Sequence, residues 1–482
     1  MLDMENAGRP DWGGTAATTG KETELFTLTR RSVLRSSLAL AATAPLARPH
    51  IANAQAKTMT VWWPQGFFPE EDKAFRDLCA AYEKASGNKT DQSVIPFAPL
   101  RQKIISAITS GVVPDLISAT PPEVVPEQAW ANKLIDVTDV IETQKEAYLP
   151  SALDSAFFYN NETKKHSYYG VPYEGAVVPF HIWKDLVEKG GGKMSEIPDR
   201  WDAFIDYFIP IEKKLRESGK RHLYSSAFVV STIGNDPLNT FHAFMIAYGG
   251  VNLVSKDGKL NSTDPQVREG VIKAIEKLST FFKEKHIPPG SVNWNDADDN
   301  NAFHSKLCIM DYDGTLSTEL AMIHDEQAYY HDMITWPMMK DNSGKQLPSI
   351  FGVNNAIIPQ GAKNVEVAKD FLKFAIQPKV NNEYLKGGLA RWLPLFPETL
   401  KDPWWKDPKD PHRQPYVMQG LERPTLPEYF VYNPAYAQCR TEHIFNVAWS
   451  DVVSGGMKPA DAADKALKRA EAIFAKYPMQ KA

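Results

Sequence analysis

The chain has 482 residues, 23% of them charged, and a formal net charge of −5 from 54 Lys+Arg against 59 Asp+Glu. That balance argues against a nucleic-acid surface, which needs clustered Lys and Arg. Three cysteines, Cys79, Cys308 and Cys439, allow at most one bridge and show no metal-ligand spacing, so neither a disulfide scaffold nor a metal or other cofactor is expected.

Residues 1–56 read as an export segment. Arg30 and Arg31 precede a 12-residue charge-free stretch, residues 36–47, and Ala54-Gln55-Ala56 supplies an A-x-A cleavage pattern. The stretch is too short to be a permanent membrane span, which takes roughly 20 apolar residues. The paired arginines predict the twin-arginine route, with cleavage after about Ala56 and a periplasmic product. No cysteine follows the apolar run, so no lipid anchor is expected there. Without these 56 residues 426 remain, carrying 48 Lys+Arg against 54 Asp+Glu. That length suits two or three domains at ~100–200 residues each.

Strand and helix then alternate. Residues 60–63 form a β-prone run. Phe75, Leu78, Cys79 and Tyr82 follow i, i+3, i+4, i+7 and predict an amphipathic helix over residues 69–86, stopped by Gly87. A second strand is expected over residues 93–97. Leu100, Ile104, Ile105 and Ile108 predict a helix ending at Gly111, and residues 115–119 a third strand. This order implies parallel βαβ units and an α/β class. Near the other end, Asn364 is expected to cap a helix bearing Ala368, Phe371, Leu372 and Ala375. Pro459 is expected to start a last helix with Ala463, Ala466, Leu467, Ala470 and Phe474 on one face. Between them, residues 394–434 hold nine of the 35 prolines together with Trp404, Trp405 and three tyrosines. Such a run suits neither a regular helix nor a solvated linker, and it is expected to wrap over one lobe.

Several short stretches in this order resemble family 1 of the extracellular solute-binding proteins, which includes maltose-binding protein. They are Thr60-Val61-Trp62-Trp63-Pro64-Gln65-Gly66, Gly111-Val112-Val113-Pro114-Asp115-Leu116, Gly170-Val171-Pro172-Tyr173 and Trp183-Lys184-Asp185-Leu186. Ala302-Phe303-His304-Ser305-Lys306, Gly352-Val353-Asn354-Asn355-Ala356-Ile357 and residues 368–374 continue the series. The resemblance implies two α/β lobes with a ligand cleft between them and a hinge closure that a membrane partner reads. It implies lobe 1 from residues 57–170 plus about 316–362, and lobe 2 from about 171–315 plus 363–482. It further implies a monomer that carries a small molecule, a sugar foremost, to the inner-membrane permease subunits of an ABC importer, with no catalytic step. Two departures are the histidine within residues 302–306 and the long proline-rich insert.

A sugar needs aromatic platforms for its C–H face and polar partners for its hydroxyls. Trp62 and Trp63 stand at the C-terminal end of the first strand, where open α/β sheets bind ligands, and alternation sends one to the core and the other outward. Gln65 and Glu70 follow in the adjoining loop and helix start. Tyr173 and Glu174 fall at an expected crossover. Trp294 is isolated among Asn and Asp, and Arg391 with Trp392 offers a guanidinium beside a ring. Asp313 and Gly352 complete the candidate set, the latter within a stretch that carries the resemblance. For each the alternative is ordinary packing, capping or a solvated loop, and for Trp404 and Trp405 packing is favoured.

Three other patterns in the sequence point to enzyme or metal chemistry. Asp311-Tyr312-Asp313-Gly314-Thr315 after a β-run matches the haloacid-dehalogenase phosphatase signature, whose carboxylates attack phosphorus and move protons beside magnesium. Its mid-chain place, without a downstream acidic pair, counts against that chemistry. Residues 296–300 suggest a calcium loop, but an EF-hand needs Gly at its sixth position and Glu at its twelfth, where Asn301 and Leu307 stand; a solvated acidic loop is expected instead. An exported glycosidase would need two carboxylates on separate strand ends, for which Glu174 and Asp313 are conceivable. The same fold with a polyamine, phosphate ester or peptide ligand, and a sensor partner, are the remaining alternatives.

Overall fold

The computed structural model describes residues 56–479, side chains of 97 and 98 excepted. The predicted twin-arginine segment lies outside the described residues. Within them, no helix is long and apolar enough to cross a membrane.

Local chemistry sets the first elements. The helix Pro69–Ser86 has proline at its first position, buries Phe75, Leu78, Cys79 and Tyr82, and ends at Gly87 with φ +78°. Glycine is the residue that adopts this left-handed cap without steric cost. The helix Phe97–Ser110 ends the same way at Gly111, φ +75°. Strands β1 (Thr58–Pro64), β2 (Lys89–Ile95) and β3 (Leu116–Thr120) flank them, both outer strands parallel to β1. The second strand is thus shifted towards the N-terminus of its predicted span.

Strands β4 (Phe157–Asn160) and β5 (Lys165–Tyr168) form a separate hairpin. The remaining strands are β6 (Val171–Ala176), β7 (Phe180–Trp183), β8 (Tyr224–Ser226), β9 (Cys308–Tyr312), β10 (Met333–Trp336), β11 (Ser349–Ile357) and β12 (Thr425–Pro427). One sheet has the order β12-β11-β3-β1-β2 with β6 also on β11; the other has the order β10-β7-β9-β8. The chain crosses from the first sheet to the second at residues 177–179, between β6 and β7, and returns between β10 and β11. The return lies after Trp336, rather than at about residue 316 as expected, because β10 is antiparallel to β7 from Met333 to Trp336.

The helices Val365–Ala375 and Pro378–Gly387 also depart from the expected lobe boundaries. Gly387 lies against Ala74, and Tyr82 packs edge-on against Phe371 at 5.2 Å, so both helices cover the first sheet through the helix Pro69–Ser86. Asn364 precedes its helix as expected but makes no side-chain cap. Its Nδ2 donates to Asp115 Oδ2 at 3.1 Å instead.

The proline-rich insert is made of short helical turns and β12, and it straddles the crossings rather than wrapping one lobe. Gln419 Nε2 donates to Val178 O at 2.7 Å, and its Oε1 accepts from Met338 N at 3.1 Å, so one side chain ties both crossing segments. Trp405 is buried and Trp404 half-buried, both in packing. The last helix, Pro459–Phe474, buries Ala463, Ala466, Leu467 and Ala470 as the periodicity predicts.

Candidate functional site

Two groups of side chains meet where the sheets face each other. One is a cavity of about 120 Å³ with walls from both sheets. Ile350 and Gly352 of β11 line one side; Tyr312 and Gly314, at the end of β9, line the other. Asn239 and His242 enter from the helix Asp236–Ala247, and Glu428 and Arg440 from the C-terminal region. Arg440 Nη1 donates to Glu428 Oε1 at 3.0 Å and its Nε to Asn235 Oδ1 at 3.2 Å. His242 Nε2 meets Tyr436 Oη at 2.5 Å. Burial, and after it the Arg440 charge, push the His242 pKa down to about 3, so the imidazole is neutral. Its Nδ1 and the Oε2 of Glu428 are both buried without a hydrogen-bond partner among the described residues.

The second group lies beside it. Glu71, only 3% exposed, accepts from Arg391 Nη1 at 2.8 and 3.0 Å, from Trp392 Nε1 at 3.1 Å and from the Phe67 amide at 2.6 Å. The Arg391 guanidinium lies 5.5 Å from the exposed Phe67 ring and 4.7 Å from that of Trp392. Its Nε donates to Thr315 Oγ1 at 3.4 Å, and Gly314 lines the cavity, so the Gly314–Thr315 turn touches both groups. Thr315 has φ +68°, and Leu389 and Ala390, which present Arg391, have φ +59° and +64°. A β-branched residue in the left-handed region is a real outlier, and such strain concentrates at ligand sites.

Of the predicted residues, Gly352 alone lines the cavity. Arg391 and Trp392 come together as a pair, but with Glu71, not Glu70. Glu70 is half-exposed, while the spacing 71, 75, 78, 82 puts Glu71 on the buried face of its helix, a signal present in the sequence. Trp63 is core, stacked on Phe75 at 4.2 Å, and Trp62 points to the other face of β1, where Lys103 sits over its ring. Neither tryptophan faces the cavity. Gln65 is an exposed loop residue. Trp294 is half-buried and packs on a small cluster of Ala227, Ala302 and Cys308. Residues 296–300 are no solvated loop either, since Asp299 and Asn300 are buried and Asp296 accepts from the Asn235 and Asp236 amides. Asn239, His242, Glu428 and Arg440 escaped the sequence reading, because no motif marks them and they converge only through the fold.

Tyr173 and Glu174 are both buried. Tyr173 shares a hydrogen bond with Ser118, and Glu174 accepts from Tyr384 Oη and, at 2.8 Å, from Asn354 Nδ2. Burial pushes the Glu174 carboxyl up to about 7 from its ordinary 4.5, more than its two donors lower it. A carboxyl with a raised folded pKa subtracts stability once it must ionise. The deduction is absent below pH 4.5, grows as pH rises and is complete above about 7, amounting to about 3 kcal/mol at ~1.36 kcal/mol per unit. Glu174→Gln is therefore expected to flatten the fall in stability between pH 4.5 and 7. Urea unfolding at pH 5 and pH 7.5 checks this, and an unchanged slope would refute it.

Asp313 is buried under a shell of donors: Asn300 Nδ2 at 2.7 Å, Thr318 Oγ1 at 3.0 Å and the Gly314 amide at 2.6 Å. Its carbonyl accepts from His181 Nε2 at 3.0 Å, while His181 Nδ1 donates to Glu319 at 2.5 Å. A ring that donates from both nitrogens is an imidazolium. Burial alone would lower its pKa, but the Glu319 charge and hydrogen bond push it up to about 9.

A family model described as bacterial extracellular solute-binding protein matches residues 77–414. No curated protein matches the chain. Among solved structures, a solute-binding protein of an ABC transporter from Thermotoga lettingae, bound with α-D-tagatose, is 18% identical with TM-score 0.71, over 87% of this chain and 100% of that one. Maltose-bound MalE3 of T. maritima is 16% identical with TM-score 0.67, again over 87% and 100%. The maltotriose-binding protein of Thermus thermophilus, bound with maltotriose, is 18% identical with TM-score 0.66, over 86% and 100%. At these identities the likeness shows a common fold.

Proposed function

The chain belongs to the bacterial extracellular solute-binding proteins, and from that premise we propose that it carries a small carbohydrate to the permease subunits of an ABC importer. One observation supports the ligand class most directly. His242 Nδ1, a donor or an acceptor according to the ring's tautomer, and Glu428 Oε2, an acceptor, are both left unpaired in residues that line the cavity. Buried polar groups are costly unless satisfied, at about 1–3 kcal/mol each, and a hydroxyl can donate or accept as each requires. Arg440 and Asn239 add further polar groups to the same wall. A polyol ring has that mixture of donors and acceptors, and the sugars bound by the tagatose, maltose and maltotriose relatives are of this kind.

In this reading the protein is monomeric, does no chemistry, and leaves the cytoplasm by the twin-arginine route with residues 1–56 removed. Closure of the two lobes on the sugar is the signal the permease reads, with Gln419 at the crossings as part of the hinge. Mass spectrometry of ligand retained by the purified protein, followed by thermal-shift screening against neutral sugars, tests it. A cognate sugar at a hundredfold excess over Kd stabilises the folded state by about 2.7 kcal/mol. Glu428→Gln is expected to weaken that sugar by about tenfold, the equivalent of about 1.4 kcal/mol. A melting temperature that responds to amines or phosphate esters and to no sugar would overturn the carbohydrate reading, and turnover of a glycoside or phosphate ester would overturn the non-catalytic one.

A further inference from the structure

Next to the cavity the second lobe buries a group of carboxylates that the sugar reading does not use. Asp236 starts the helix Asp236–Ala247, Asp299 lies in the helix Asp298–His304, and Asp313 follows β9. They are 7%, 1% and 6% exposed, and one carboxylate oxygen of each lies within 4.8 Å of the others. Asp311 of β9, two residues before Asp313 and 1% exposed, leaves its Oδ2 without a hydrogen-bond partner among the described residues. The strongest charge influence on Asp299 is Asp311, and on Asp311 it is Asp313, so the Asp311 carboxylate stands beside the three. Like charges this close and this buried are held together only by protons or by a cation. His181, a cation beside Asp311, donates both its ring hydrogens elsewhere, to Glu319 and to the Asp313 carbonyl.

From this arrangement we infer that Asp236, Asp299 and Asp313 hold a calcium ion beside the ligand cavity. All the donors are hard carboxylate oxygens, which suits Ca²⁺ or Mg²⁺ rather than a softer metal. The donor set favours calcium, which takes several protein oxygens in a flexible shell, whereas Mg²⁺ keeps several waters and usually takes only one or two carboxylates. Asn300 Nδ2, Thr318 Oγ1 and the Gly314 amide donate to the Asp313 carboxylate oxygens and fix their orientation, as outer partners of metal ligands do. This is not an EF-hand: its ligands come from three separate segments, and only Asp299 belongs to the acidic stretch 296–300. Because Asn239 Nδ2 donates to Asp236 Oδ1 at 3.3 Å and also lines the cavity, the ion fixes one wall of the ligand site.

Calorimetric titration of CaCl₂ into full-length, chelator-treated protein tests the inference, with melting temperature as a second readout. One Ca²⁺ per chain is expected to bind and raise the melting temperature, with Mg²⁺ weaker. Asp299→Asn is expected to weaken calcium by at least about tenfold. Asp236→Asn is expected to do the same and carries the test if the first variant does not fold. No heat and no thermal shift with Ca²⁺ would overturn the inference, as would equal calcium affinity in a folded variant. Stabilisation by spermidine but not by Ca²⁺ would also overturn it, since the carboxylates would then serve an organic cation. None of these outcomes depends on which sugar, if any, occupies the cavity.

Discussion

Glu319→Ala is expected to destabilise the protein by about 3–5 kcal/mol, the range for removing one member of a buried ion pair. Glu319 and His181 are both fully buried. The glutamate accepts from His181 Nδ1 and Thr335 Oγ1, each at 2.5 Å, and His412 Nδ1 lies 3.5 Å away. Burial would raise the Glu319 pKa, but the His181 charge and hydrogen bond hold it well below the usual carboxylate range, so the pair is ionic. Without the carboxylate, His181 must either stay charged with no counter-ion or lose a proton, and a neutral ring keeps only one N–H. Its bond to the Asp313 carbonyl then competes with every other use of that hydrogen. The damage is therefore expected to reach the cleft end of β9 as well as β7 and β10. Urea unfolding of purified variants measures it, and a loss below 1 kcal/mol would show that the pair is dispensable.

Asp115→Ala is expected to have a comparable effect, about 3–5 kcal/mol, for a different reason. The Asp115 carboxylate is 3% exposed and accepts from five donors: the amide and hydroxyl of Thr60 at 2.8 and 3.1 Å, the amides of Lys363 and Asn364 at 2.8 Å each, and Asn364 Nδ2 at 3.1 Å. It ties β1, the approach to β3 and the positive end of the helix Val365–Ala375 into one joint. Hydrogen bonds to a charged acceptor contribute about 1.5–3 kcal/mol each in isolation, and the total falls short of their sum because the freed amides recover some water. Burial raises this carboxyl's pKa, yet the surrounding donors hold it below 3.8. Its contribution is thus fully present above pH 3.8 and is lost as pH falls through the folded value. Asp115→Asn, which keeps the shape but not the charge, is expected to lose about half as much at pH 7. Equal losses for Ala and Asn would mean that geometry, not charge, holds the joint.

Much of this molecule was legible in advance where the information is local. The helix Pro69–Ser86 and the last helix, Pro459–Phe474, follow from apolar spacing with proline at the start, and Gly87 marks the end of the first. The family resemblance rested on short stretches spread along the chain, and the two-sheet architecture and the matched region 77–414 agree with it. The candidate site was legible only in part. Arg391 and Trp392 could be picked out as a cation beside a ring, and Gly352 stood in a resembling stretch. Their partners could not be inferred from neighbours: Glu71 lies 320 residues from Arg391 along the chain. Glu71, not the neighbouring Glu70, pairs with Arg391, and the helical period that buries Phe75, Leu78 and Tyr82 also turns Glu71 inward.

By itself the sequence determined what a few turns of chain can decide: helix and strand, where each stops, and which face of each turns inward. Hydrogen-bond spacing and hydrophobic period act within about ten residues, so these features carry their own signal. Only the tertiary structure decided which sheet claimed β10, which lobe the helices Val365–Ala375 and Pro378–Gly387 cover, and which polar groups converge on the cavity. Those outcomes depend on partners hundreds of residues apart, chosen by burial and by the need to pair every buried polar atom. His242, Glu428 and Arg440, and the aspartates at 236, 299 and 313, are unremarkable where they stand in the chain. They acquire a role because the fold removes them from water together.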